Sequence, residues 1–150
     1  MKIEKEINQT KPFKNAHTKV GVNLAFTSSW LSKKQANFLK PFDISIQQFN
    51  ILRILRGMQP EAATIKILTE RMIDKMSNAS RLVEKLKKKG FVERKECEFD
   101  RRQVDIVITK KGLDIVAQAS TALESGLIDS MKLTDEEANQ LSNLLDKLRG

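Results

Sequence analysis

Between Asp74 and Gly112 the spacing of apolar residues changes from steps of three and four to alternation, and Gly90 stands at the change. Met76, Ala79, Val83 and Leu86 fall on one face of a helix, and Asp74 is placed to cap it by accepting the free N–H groups of its first turn. Gly90 is placed to end that helix after a lysine-rich last turn, Lys87 to Lys89. Beyond it Phe91-Val92 opens one strand, and Val104, Ile106 and Ile108 alternate along a second. The tip between them, Glu98 to Gln103, is charged. A helix that runs straight into a short hairpin leaves few folds open.

The polar residues of this stretch suggest its chemistry. Ser77, Asn78, Ser80, Arg81, Glu84, Lys85 and Lys88 fall on the faces the core does not use. Short hydrogen-bonding groups at the N-terminal end and cations further along suit a helix entering a major groove, where small groups reach base edges and Lys or Arg meets phosphate. Two adjacent arginines at a hairpin tip, Arg101 and Arg102, are poorly placed for a core and well placed for the concentrated negative potential of a minor groove. Asp100 would repel phosphate unless paired, and is expected to brace the Arg102 guanidinium by a bidentate contact. The competing readings are a solvated amphipathic helix and a polar loop with a local ion pair.

The rest of the chain reads as helices. Residues 1–11 are polar and expected to fray. A first long helix is expected from after Pro12 to about Lys40, where Pro41 ends it, with Val20, Leu24, Trp30, Leu31 and Phe38 among its apolar positions. Ser45 to Gln48 fits a capping box for a helix that is apolar over a wide arc and is broken by Gly57 and Pro60. Pro60 to Ala63 reads as a loop or short strand. Thr64 can cap a third helix, Ile65 to Met72, the supporting helix of a helix-turn-helix. After the hairpin, Thr109 is placed to cap a helix through roughly Ser130, striped by Leu113, Val116, Ser120, Leu123 and Leu127, with Gly126 marking a kink or a close crossing. Thr134 to Glu137 is a second capping box, opening a helix with Leu141, Leu144, Leu145 and Leu148 on one side.

In these stretches the chain resembles the MarR family of winged-helix transcriptional regulators. The resemblance rests on LTERMIDKMSNASRLVEKLKKKGFVER, then DRR, then VITKKG, in the family's order and spacing, and it extends through the flanking helices. One departure is Ile73-Asp74 in the turn between the two helix-turn-helix elements, where many members carry glycine. The resemblance implies a homodimer that binds pseudo-palindromic operator DNA, more commonly as a repressor, and that often responds to small molecules or oxidants. The expected fold is mainly α with a small antiparallel β-wing: one subunit, with a winged helix-turn-helix core at about 44–112 and dimerisation helices at about 12–40 and 113–150. The expected DNA contacts are Ser77, Asn78, Ser80, Arg81, Lys85 and Lys88 on the recognition helix and Asp100, Arg101 and Arg102 on the wing. An effector is expected between the DNA-binding lobe and the dimer helices.

Composition narrows the function classes. The net charge of +8 is uneven: residues 75–112 carry 12 basic and 6 acidic side chains, whereas residues 113–150 carry 3 and 7. The reading segment is therefore basic and the C-terminal end is a poor match for phosphate. One histidine, one cysteine, no tyrosine, no phosphate loop and no paired zinc-ligand motif argue against an enzyme, a cofactor or a metal site. His17 stands without partners at ligand spacing. Cys97 is flanked by Glu96 and Glu98, which disfavour a thiolate, so an inert thiol is favoured over a redox switch. The N-terminus lacks the apolar segment of a secretory signal, and a reducing, cytoplasmic setting is expected. The alternative function is a winged-helix module that binds protein or RNA, although RNA readers usually expose stacking aromatics.

Overall fold

The computed structural model describes residues 1–150. In chain order the elements are α1 (Ile3–Glu6), α2 (Ala16–Leu39), a 3-10 turn (Lys40–Phe42), α3 (Ile46–Met58), α4 (Ile65–Arg71), α5 (Ala79–Lys88), β1 (Val92–Glu96), β2 (Val104–Ile108), α6 (Lys110–Ser130) and α7 (Asp135–Arg149). The fold is mainly α with one small antiparallel sheet, a winged helix flanked by terminal helices.

The core gathers around α3. Its Phe49, Ile51, Leu52, Ile54 and Leu55 are all buried, and they meet Leu68 of α4, Val83 and Leu86 of α5, Ile106 of β2 and Val116 of α6. Burying each such side chain contributes about 1.5–3 kcal/mol, which is why the short α4 and α5 hold their shape. The capping boxes form as the sequence requires. At α3 the Gln48 N–H donates to Ser45 Oγ (3.1 Å) while the Ser45 N–H donates to Gln48 Oε1 (2.9 Å), and Thr134 and Glu137 do the same at α7. Gly57 lies inside α3, so the helix ends one residue later than the glycine suggests.

The wing pairs Val92 with Ile108 and Glu96 with Val104. Ala63 adds one isolated bridge by exchanging both backbone hydrogen bonds with Ile106 (2.7 and 3.0 Å), so the Pro60–Ala63 stretch is a loop pinned to β2 at a single residue. Ile106 is fully buried, but Val104 near the tip is exposed.

The N-terminus differs from expectation. Residues 3–6 form a helical turn docked on α2, with Ile3 buried and Glu4 ion-paired to Lys19 at 2.5 Å. The long helix starts at Ala16, because Asn15 takes the cap by accepting the Thr18 N–H (2.8 Å). Gly126 marks a close crossing: a Cβ there would lie 2.6 Å from the Phe38 ring, so α2 and α6 approach only because position 126 has no side chain. No helix is long and apolar enough to cross a membrane.

Candidate nucleic-acid interface

The turn before α5 is where sequence and structure part. The helix begins at Ala79, not after Asp74, and its cap is Asn78, whose Oδ1 accepts the Arg81 N–H (3.0 Å). Asp74 caps the preceding turn instead: its Oδ1 accepts the Met76 N–H (3.0 Å) and its carbonyl accepts the Ser77 N–H (3.2 Å). Met76 is therefore off the helix and 93% exposed, whereas the spacing placed it in the core. The physical reason is competition for the same N–H groups. Asp, Ser and Asn within five residues all favour turns and caps over helix interior, and the last of them sets the start.

Two residues of α3 border this turn, and neither stood out in the sequence. Asn50 Oδ1 accepts the Ile73 N–H (2.9 Å), and Gln47 lies beside the Asp74 carboxylate. Three apart on one helix, they face the same way. The Met76 N–H, Ser77 and Gln47 together hold the Asp74 carboxyl below its usual range. The positive-φ positions of the chain are Asn8, Asp43, Gly90 and Gly150, so the Ile73-Asp74 turn needs no glycine.

From this frame α5 presents one polar face. Asn78, Ser80, Arg81, Lys85, Lys87 and Lys88 are exposed, and Ser77 is half-buried at the entry. Asn78 has spent its carbonyl oxygen on the cap, which leaves its amide N–H2 as the group free to reach outward. Lys89 is not part of that face. Its ammonium contacts the Asp43 carbonyl and carboxylate, the latter at 3.0 Å, and ties the end of α5 to the corner before α3.

Wing and helix are fixed to each other. Arg94 of β1 pairs with Glu84 of α5 at 2.5 Å, which neutralises the one carboxylate on the polar face. Thr109 donates its hydroxyl proton to the Gly90 carbonyl (2.7 Å) and accepts the Gly112 N–H (3.0 Å), so one side chain caps α6 and closes the turn after α5. Gly112 has no room for a side chain, since a Cβ would stand 2.2 Å from the Phe91 carbonyl oxygen. Lys111 adds a hydrogen bond to the Lys89 carbonyl (2.9 Å) and lies over the Phe91 ring. A cleft of about 530 Å³ behind this junction is lined by Lys87, Arg94, Lys95 and Thr109.

At the tip, Arg101 and Arg102 are exposed and unpaired. Asp100 does not clasp the Arg102 guanidinium. Its Oδ1 accepts the Arg102 backbone N–H (2.9 Å), and its carbonyl accepts the Gln103 N–H (3.0 Å). An Asp two residues before a free N–H closes that ring more readily than it immobilises a long side chain in water. The loop backbone is braced and both guanidinium groups stay free. Cys97 is half-buried, its N–H donating to the Gln103 carbonyl (3.1 Å). No cluster of His, Cys, Asp or Glu is able to hold a metal ion.

A helix with a cationic outer face, buttressed by a hairpin with free arginines, defines a winged-helix DNA-binding regulator of transcription. The MarR family profile matches residues 44–104. An HTH-type transcriptional regulator of Bacillus cereus is 31% identical over 114 residues, covering 74% of each chain, and the regulator SarZ of Staphylococcus haemolyticus is 27% identical over 122 residues, 81% of each. The chain belongs to the MarR family. Among solved structures, a MarR-like regulator of Bacillus cereus superposes with a TM-score of 0.78 at 24% identity, over 89% of this chain and 95% of that one. An organohalide-sensing regulator in its 2,4-dichlorophenol-bound form gives 0.82 at 23% identity, over 94% and 86%. BpsR of Bordetella bronchiseptica, whose DNA binding is regulated by 6-hydroxynicotinic acid, gives 0.79 at 18% identity, over 93% and 98%. Relatives and fold are those of transcription regulators, which are not enzymes.

Proposed function

We propose that the protein is a homodimeric repressor that binds a pseudo-palindromic operator and is released from it by a small-molecule effector. The observation that carries this reading is the division of the surface. Free cations cluster on α5 and the wing, and, apart from Ile73, Met76, Phe99 and Val104 in the core unit, the exposed apolar side chains sit toward the termini: Val20, Phe26 and Trp30 on α2, Ile128 on α6, and Leu141, Leu144 and Leu148 on α7. Helix α7 has no buried residue in the single chain, so its leucines need a partner. Residues 12–40 and 113–150 then form the dimer interface and 44–112 the DNA-binding core.

In that dimer Ser77, Asn78, Ser80 and Arg81 reach base edges, Lys85 and Lys88 meet phosphates, and Arg101 and Arg102 enter the flanking minor groove. Asp100 holds the arginine loop in shape. Half-site centres fall about one helical turn apart. Support for an effector comes from two proteins of the same fold, one solved with 2,4-dichlorophenol bound and one whose DNA binding is regulated by 6-hydroxynicotinic acid. The cleft of about 530 Å³ between α1 and α2, lined by Ile3, Lys19, Phe26 and Trp30, lies beside one of the proposed dimer helices, away from the expected place between the DNA-binding lobe and the dimer helices, and offers another place for such a ligand.

The test is selection of bound sequences from a random duplex pool, followed by titration of the enriched duplex at several salt concentrations. A two-fold-symmetric site bound with a steep negative salt slope supports the reading, and sequence-independent binding refutes it.

A further inference from the structure

Met76 is an apolar side chain in a place where water contact has no structural use. Apart from Met1, the chain exposes three large hydrophobic side chains beyond 80%: Ile73 (83%), Met76 (93%) and Phe99 (97%). All three lie in the turn before α5 or at the wing tip. The other strongly exposed ones, such as Ile128, Leu144 and Leu148, lie on the terminal helices, where a partner subunit would cover them. Ile73, Met76 and Phe99 have no such cover, and they sit among the cations proposed to face DNA.

The backbone under Met76 is fixed. Its N–H is held by Asp74 Oδ1 at 3.0 Å, Ser77 beside it by the Asp74 carbonyl, and two residues on Asn78 caps the helix. The side chain therefore projects from a rigid turn at the N-terminal end of α5, the end that reads base edges. In the major groove the apolar group among those edges is the thymine C5-methyl. An unbranched, polarisable thioether adapts its three torsions to such a methyl better than a β-branched chain does.

We infer that Met76 reads a thymine in each operator half-site by packing its thioether against the C5-methyl group in the major groove. This rests on the proposed docking of α5. Burying one methyl against an apolar partner is worth about four-fold in affinity per half-site. Ser77, Asn78 and Ser80 supply polar contacts beside it, so the half-site mixes hydrogen-bonded and apolar readout.

The experiment uses the full-length protein and the duplex recovered by selection. Each thymine of the half-site is replaced in turn by deoxyuridine, which keeps pairing and removes one methyl. For the wild type, one position in each half-site weakens binding by about four-fold. Met76→Ser binds the parent duplex more weakly and is indifferent to deoxyuridine at that position. Met76→Leu keeps most of the dependence, and Phe99→Ala, which removes apolar surface from the wing, keeps all of it. Because Met76 is off the core, each variant should melt as the wild type does. Absence of any methyl-sensitive thymine, or equal sensitivity in wild type and Met76→Ser, overturns the inference while leaving the regulator reading intact. Failure to enrich any sequence overturns both.

Discussion

Asp74 spends its carboxylate inside the turn, and that has a pH signature. The Met76 N–H, then Ser77 and Gln47, hold its carboxyl below the ordinary aspartate value of 3.8. A carboxyl depressed in the folded state stabilises that state above the unfolded value, and the contribution disappears as pH falls through the folded value. Asp74→Asn should therefore lower the melting temperature at pH 7, and the gap to wild type should close below pH 3.8, as thermal melts from pH 7 to 3 would show. A gap that stays constant across that range would place the effect elsewhere. Asn78 separates two roles in the same way. Asn78→Ala loses the cap and costs about 1 kcal/mol of stability. Asn78→Asp keeps the cap at a helix N-terminus but replaces a donor with a negative charge at the groove, so it should melt like the wild type and bind DNA far more weakly.

At the scale of elements, the packing of α2 on α6 depends on one missing side chain. Gly126→Ala puts a Cβ 2.6 Å from the Phe38 ring and should cost about 1–3 kcal/mol in denaturant unfolding, partly recovered by Phe38→Leu. The sequence marked Gly126 as a kink or a crossing, and only the neighbouring helix decides between them. The helices whose caps stand alone were legible: Ser45, Thr64, Thr109 and Thr134 each begin the helix their spacing indicates. The start of α5 was not, because Asp74, Ser77 and Asn78 compete to cap it and a tertiary bond from Asn50 fixes the turn before it. The Glu84–Arg94 and Lys89–Asp43 pairs were hidden for another reason. They join different elements, and a periodic pattern carries no information about which charge on one element faces which on another. The arginine tip was legible in composition, but its internal hydrogen bonds were not, since Asp100 has both a backbone and a side-chain partner within two residues.

For the whole molecule, the uneven charge and the uncovered leucines constrain the same assembly. Residues 1–40 carry 8 basic and 2 acidic side chains, and residues 113–150 carry 3 and 7, so the terminal segments are of opposite charge and in the proposed dimer would attract one another within or between subunits. The leucines of α7 supply the apolar surface that charge alone cannot. If α7 closes the dimer, Leu144→Lys together with Leu148→Lys should leave a folded monomer by sedimentation at micromolar concentration, because both leucines are more than half exposed in the single chain and contribute little to its own core. That monomer keeps α5 and the wing intact, so it should still bind a single half-site weakly. It should lose the added affinity of two linked half-sites, and its salt slope should fall to about half that of the dimer, since it neutralises half as many phosphates. Arg102→Ala in the intact dimer has the complementary effect: weaker binding across sequences and a slope smaller by about two, one for each wing, with the dimer unchanged. A double lysine variant that still sediments as a dimer would remove α7 from the interface, and an Arg102→Ala protein with the wild-type slope would take the wings off the DNA.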